Sequence, residues 1–246
     1  MHPKNYILAV PWDPTSPTHV ERLRQQRISC GWGVENIPTW RTEHLAGQKL
    51  ILWLILDPTH PSYRALLAAH TAQFPIEPNP LKDSSSTLLP PVHPIAQRPN
   101  QKFTPIGHVS LDFPSHISIS NPDPVSGRIG ASSLYLSPAV RGLEFASQAV
   151  ETTKKVGKNF ARWVVAEVPV RESQDAVERF ERFGDGRPGF SLEEWYVSLG
   201  WKRIRGMKRF VDEKDVDGRI WRVELVAMEW DLGEMPLVGD CEKSRL

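Results

Sequence analysis

One run of this chain is apolar at every position a strand would present. Leu50-Ile51-Leu52-Trp53-Leu54-Ile55-Leu56 has no polar face. A strand turns successive side chains to opposite sides, so this run must be covered on both. Arg162 to Val168 is nearly as apolar and reads the same way. A third segment, Ile106 to Phe113, alternates: Val109, Leu111 and Phe113 point one way, His108, Ser110 and Asp112 the other. Tyr6 to Val10, Ser132 to Ser137, Trp201 to Val211 and Gly218 to Trp230 also read as strands, with Asp217-Gly218 as the last turn. The covering layers are legible too. Ser16-Pro17 starts a helix with Val20, Leu23 and Ile28 on one stripe, broken by Gly31-Trp32-Gly33. A short helix follows Pro38 to Gly47, and others are expected over Tyr63 to Ala72 and Leu143 to Val156. Ser191-Leu192-Glu193-Glu194 is a capping box, and Gly200 ends the helix it opens. The class is α/β, with helices on both faces of one sheet.

Two stretches resist assignment to this core. Residues 74–105 are rich in proline with Ser84-Ser85-Ser86 between, which predicts a surface excursion rather than a domain. Pro114 to Gly130 reads as a polar loop, and Pro169 to Gly189 as irregular, with a helix over Ala176 to Phe183. The whole chain, 1–246, is expected to form one domain with a core from about 6 to 230 and a tail from 231 to 246. The net charge of +1 gives no general attraction to nucleic acid or to a membrane surface. With only two cysteines, Cys30 and Cys241, no disulfide framework or paired-cysteine metal motif is available. The apolar runs are too short to span a bilayer and the start lacks the apolar stretch of a signal peptide, so a cytoplasmic protein is expected.

The chemistry concentrates in Leu134-Tyr135-Leu136-Ser137-Pro138-Ala139-Val140-Arg141-Gly142-Leu143-Glu144-Phe145-Ala146. A strand meets a proline, then a short Arg-Gly loop, then a helix. The first turn of a helix presents unpaired N–H groups and the positive end of the helix dipole, which suits phosphate oxygens. This stretch resembles the signature of the GNAT superfamily of acyl-CoA-dependent N-acetyltransferases. That signature is a Leu-Tyr-Val-x-Pro strand followed by x-x-Arg-Gly-x-Gly-x-Gly/Ala. Leu134, Tyr135, Leu136, Pro138, Arg141, Gly142 and Ala146 match by position. Trp195 to Trp201 resembles the family's Tyr-x-x-Leu-Gly-Phe motif. Three positions depart: Glu144 stands where the signature has its central glycine, Gly189 where an asparagine is often found before the last helix, and Ala131 where a catalytic acid is frequent.

The resemblance implies a mixed, mostly antiparallel sheet in which the signature strand splays from the central strand. It implies acetyl-CoA as co-substrate, no metal, and direct attack of a primary amine on the thioester. N–H groups near Leu134 and Leu136 would bind pantetheine, one of them polarising the thioester carbonyl. The loop N–H groups of Arg141, Gly142, Leu143, Glu144, Phe145 and Ala146 would hold the pyrophosphate. Tyr196 would protonate the leaving thiolate, with a phenol near its ordinary pKa of about 10. Glu167 is the first candidate for the base, ahead of His108 and Asp112. Trp32 and Trp40 fall where this family shapes its acceptor pocket. The alternative is a GNAT-like binding or scaffold protein that has lost catalysis.

Overall fold

The computed structural model describes residues 4–74, 79–85, 95, 98–170, 178, 181 and 191–233. Strand β2 (Lys49–Leu56) is buried along its whole length. Leu50, Leu52, Leu54 and Leu56 face one core, while Ile51, Trp53 and Ile55 face a second on the opposite side. Helices α1 (Pro17–Cys30) and α2 (Ile37–Leu45) cover the second core through Leu23 and Ile37. Helices α3 (Tyr63–Gln73) and α4 (Phe145–Gly157) cover the first, together with α5 (Leu192–Ser198).

Among the described residues the sheet has seven strands. In spatial order they are β1 (Ile7–Pro11), β2, β5 (Gly107–Asp112), β6 (Asp123–Leu136), β7 (Ala161–Pro169), β9 (Ile220–Asp231) and β8 (Lys202–Lys214). Every neighbouring pair is antiparallel except β6 and β7. A parallel pair needs a crossover, and α4 supplies it. The described residues thus form an α/β arrangement around one mixed, mostly antiparallel sheet.

The local signals are honoured at helix ends. Pro17 opens α1, and Gly31 closes it in the left-handed conformation with φ 89°. The capping box before α5 is complete: the Ser191 hydroxyl accepts from the Glu194 N–H, and the Glu194 carboxylate accepts from the Ser191 N–H.

Two expectations are corrected and one is refined. Strand β6 begins at Asp123, well inside the polar stretch expected to be a loop. Gly127 permits this, since a Cβ there would lie 2.3 Å from the Asp123 carbonyl oxygen. The last turn holds Asp217-Gly218 as expected but is wider, running from Asp215 to Arg219, whose backbones pair at 2.9 Å, with Gly218 at φ 87° inside it. The described parts of the proline-rich stretch pack on the core rather than lying over it. Leu81 of β3 (Leu81–Lys82) and Phe103 of β4 (Lys102–Phe103) pair and are buried in the second core. Asp83 and Ser85 are buried beside them, and Ile95 joins the first core. Apolar residues at both ends of the stretch anchor it. The helix expected over Ala176 to Phe183, together with Gly189 and most of the tail, lies largely outside the described residues. Among the described residues no helix is long and apolar enough to cross a membrane.

Candidate active site

The parallel seam between β6 and β7 is short. It opens with Asp123 on Ala161, is interrupted by an irregularity, pairs Arg128 with Trp163 through Ala131 with Ala166, then ends. Beyond it β6 stays paired with β5, and β7 with β9 as far as Pro169. The two strands therefore part between Ser132–Leu136 and Glu167–Pro169. A bulge bends β6 at that point: Ser110 pairs with Ser132 and His108 with Tyr135, so three steps on β6 match two on β5. Ser133 sits in the bulge with φ 54°. A side-chain-bearing residue held there costs on the order of 1 kcal/mol, which the surrounding sheet must outweigh.

A cavity opens on each side of the split. The smaller, about 200 Å³, lies under α4 and α5 and is walled by Val150, Thr153, Tyr196 and Trp201. The larger, about 840 Å³, lies on the α1–α2 side and is walled by Trp32, Trp40, Asp112 and Arg209. Ala131, Ser132, Ser133, Leu134, Glu167 and Pro169 border both.

Tyr196 is buried on α5, packed edge-on against Trp195 and Trp201 with ring centroids 5.0 and 4.9 Å away. Burial pushes its phenol up to about 12, above the ordinary value expected from the sequence. It stays protonated through the physiological range. Glu167 accepts both N–H groups of the Arg209 fork, one at 2.6 Å. Its carboxylate is thus ion-paired rather than free. The partnership raises the Arg209 guanidinium pKa.

Asp112 joins a polar cluster that sequence reasoning did not assemble. Its carboxylate takes the buried Lys49 ammonium and the Ser132 hydroxyl, and the Ser110 and Ser132 hydroxyls lie 2.8 Å apart. The Lys49 ammonium also stands 5.4 Å from the Trp40 ring. Alternation in Ile106 to Phe113 already put Ser110 and Asp112 on one face. The register that brings Lys49 opposite Asp112 is not visible in the sequence. His108 is placed differently from expectation. It is 1% exposed, borders neither cavity, stacks on Tyr135 and bonds Gln26 at 2.8 Å. Burial, then the neighbouring Arg27, hold it well below its usual pKa, so it is neutral.

The loop before α4 stands apart from both cavities. Arg141, Gly142, Leu143 and Glu144 are exposed, Ala146 is half-buried, and Phe145 is buried against His60. Gly142 has φ 76° with open space where a Cβ would be, and Glu144 has φ 63°. The first-turn N–H groups of α4 have no carbonyl one turn earlier to pair with. The Glu144 side chain is on the exposed surface. Leu134 borders the split, whereas Leu136 is a core residue whose carbonyl accepts from Arg141 Nε at 3.2 Å.

No family model matches the sequence, and no curated protein matches it. Similar solved structures include the aminoglycoside 6′-N-acetyltransferase from Enterococcus faecium, 10% identical over 93% of this chain and 99% of that one, with TM-score 0.46. Arabidopsis thaliana NAA60 in complex with acetyl-CoA is 12% identical over 92% and 98%, with TM-score 0.47. The NatC complex bound to Gag peptide and CoA is 12% identical over 93% and 99%, with TM-score 0.45. No residue role or substrate follows from likenesses of this size.

Proposed function

We propose that this chain is a CoA-dependent N-acyltransferase that moves an acetyl group from acetyl-CoA to a primary amine. The observation that carries the reading is the parted seam: one gap in the sheet borders a cavity on each face. A thioester reaching the gap from the α4–α5 side and an amine from the α1–α2 side would meet at Ser132 to Leu134. The exposed, open loop at Gly142 and the first-turn N–H groups of α4 fit a pyrophosphate, with Arg141 adding charge.

Acetyl-CoA would supply the activated acyl carbon and a thiolate leaving group. Each protein group then has a definite task. The bulge turns backbone N–H groups of β6 away from regular pairing, so one near Leu134 would donate to the carbonyl oxygen as negative charge grows there. Tyr196, neutral and bordering the cavity, would donate its phenolic proton to the departing sulfur. Glu167 would take the proton the amine loses, after exchanging Arg209 for the amine. The C–N bond forms, the C–S bond breaks, and one proton is released overall.

Calorimetric titration with acetyl-CoA tests this reading before any acceptor is known. Binding, with a rise in melting temperature by mass action, is expected. Glu144 in the phosphate loop and Arg209 on Glu167 favour the alternative, a scaffold that has lost catalysis. Neither heat nor a thermal shift at millimolar acetyl-CoA would establish that alternative.

A further inference from the structure

The smaller cavity extends past the place where thioester and amine would meet. It borders the gap at Leu134 and Pro169, and its inner wall reaches Val109 on β5, Val150 on α4 and Val164 on β7. All three valines are buried. Val164 stands two residues inside Ala166, where the pairing of β7 with β6 ends, so the inner end lies beneath the closed part of the seam. Two residues are about 7 Å along a strand. The polar side chains beside this end are engaged elsewhere. The Thr153 hydroxyl donates to the Ala149 carbonyl at 2.8 Å, and the Ser132 hydroxyl lies against Asp112 and Ser110. Lys154 pairs with Glu151, and its ammonium stands 3.5 Å from the centre of the Trp230 ring.

A space of about 200 Å³ with valine walls is unusual in a close-packed interior, because its lining atoms forgo dispersion contacts. An apolar cavity of about 150 Å³ takes up benzene. Chain direction says which part of a ligand would enter this one. The loop of residues 141–146 follows the C-terminal end of β6. A CoA thioester held there would come to the gap from the Leu136 end of the strand. Whatever hangs beyond its carbonyl continues the same way, back along β6 past Ser132 and Ala131, toward Val109 and Val164.

We infer that the inner end of this cavity is an acyl pocket for a linear, apolar chain of about four to six carbons. This rests on the acyl-transfer reading of the same site and extends its donor from acetyl to longer acyl groups. Each methylene seated there leaves water for a wall of valines, which favours binding about fourfold. An anionic chain end would lose its hydration, and Lys154, the cation among the described lining residues, is already held by Glu151 and Trp230.

The test is titration calorimetry of the full chain with acetyl-CoA, butanoyl-CoA, hexanoyl-CoA and succinyl-CoA. Butanoyl-CoA should bind about tenfold more tightly than acetyl-CoA, and hexanoyl-CoA at least as tightly as butanoyl-CoA. Succinyl-CoA has the length of butanoyl-CoA with a charged end, and should bind no better than acetyl-CoA. Val150→Phe puts a ring into the inner end, so the preference for the longer chains should shrink to within about twofold. If that variant does not melt cooperatively, Val150→Leu takes its place and should cut the preference to half or less. Equal affinity for acetyl-CoA and the longer apolar chains overturns the inference and leaves acyl transfer standing. So does a preference for succinyl-CoA over butanoyl-CoA, or an undiminished preference in a folded Val150 variant. Failure of all four thioesters to bind is a different result, and removes the acyl-transfer reading together with this pocket.

Discussion

Glu144 is the residue where sequence and geometry collide most directly. Its φ of 63° belongs to the left-handed region that glycine occupies without cost, and the resemblance places glycine there. The substitution leaves the backbone shape intact and puts the cost on the side chain. Glu144→Gly should therefore stabilise the fold by about 1 kcal/mol, read as a rise in denaturation midpoint. Under the proposed function it should also tighten acetyl-CoA binding, by removing a negative charge from the loop proposed to hold the pyrophosphate. Weaker binding in that variant would mean that the carboxylate takes part in the site. Tyr196 presents a different case. With its pKa pushed up to about 12, the phenol is a reluctant acid, and in the proposed reaction it would act mainly as a proton-bearing donor to developing thiolate. Tyr196→Phe should fold and bind acetyl-CoA normally, while turnover falls on the order of 10²-fold where chemistry limits the rate. Full turnover would make Tyr196 a packing residue only.

At the scale of elements, what was legible depended on whether the deciding forces were local. The capping box at Ser191, the left-handed stop at Gly31 and the doubly buried β2 follow from neighbours in sequence, and all were readable. The long β6 was not, because Asp123 pairs with Ala161 across the α4 crossover and nothing local announces it. The site shows the same division. Leu134, Glu167 and Tyr196 do gather at the gap. Lys49 on Asp112 and Arg209 on Glu167 depend on strand register, which alternation alone leaves free. Gly200 tests the local side. A Cβ there would lie 2.4 Å from the Trp230 ring, and φ is 85°. Gly200→Ala should cost about 3 kcal/mol or more in chemical denaturation. The proline-rich stretch tests the other. Leu81→Ala should lose about 2–3 kcal/mol, because the side chain is 4% exposed in the second core. Wild-type stability in that variant would restore the view that this stretch lies loose on the surface.

For the molecule as a whole, buried imidazoles set the acid limit. His19, His44 and His108 are all held below the usual histidine value, chiefly by burial, His44 to about 4. A histidine with a depressed folded pKa binds fewer protons folded than unfolded. Its contribution is present above about 6.5 and is lost as pH falls toward the folded value. Each such group lowers stability by up to about 1.4 kcal/mol per pH unit in that window. Denaturant titrations between pH 7 and 4 should show a steep decline, and replacing His44 with an apolar residue of similar size should flatten it. The short seam between β6 and β7 has a mechanical consequence. Four strands lie on one side of it and three on the other, so the sheet is two stiff leaves joined by a narrow spine. Anything lodged between the leaves touches both, and its arrival would be felt as a change in the angle of the book before any single side chain had turned.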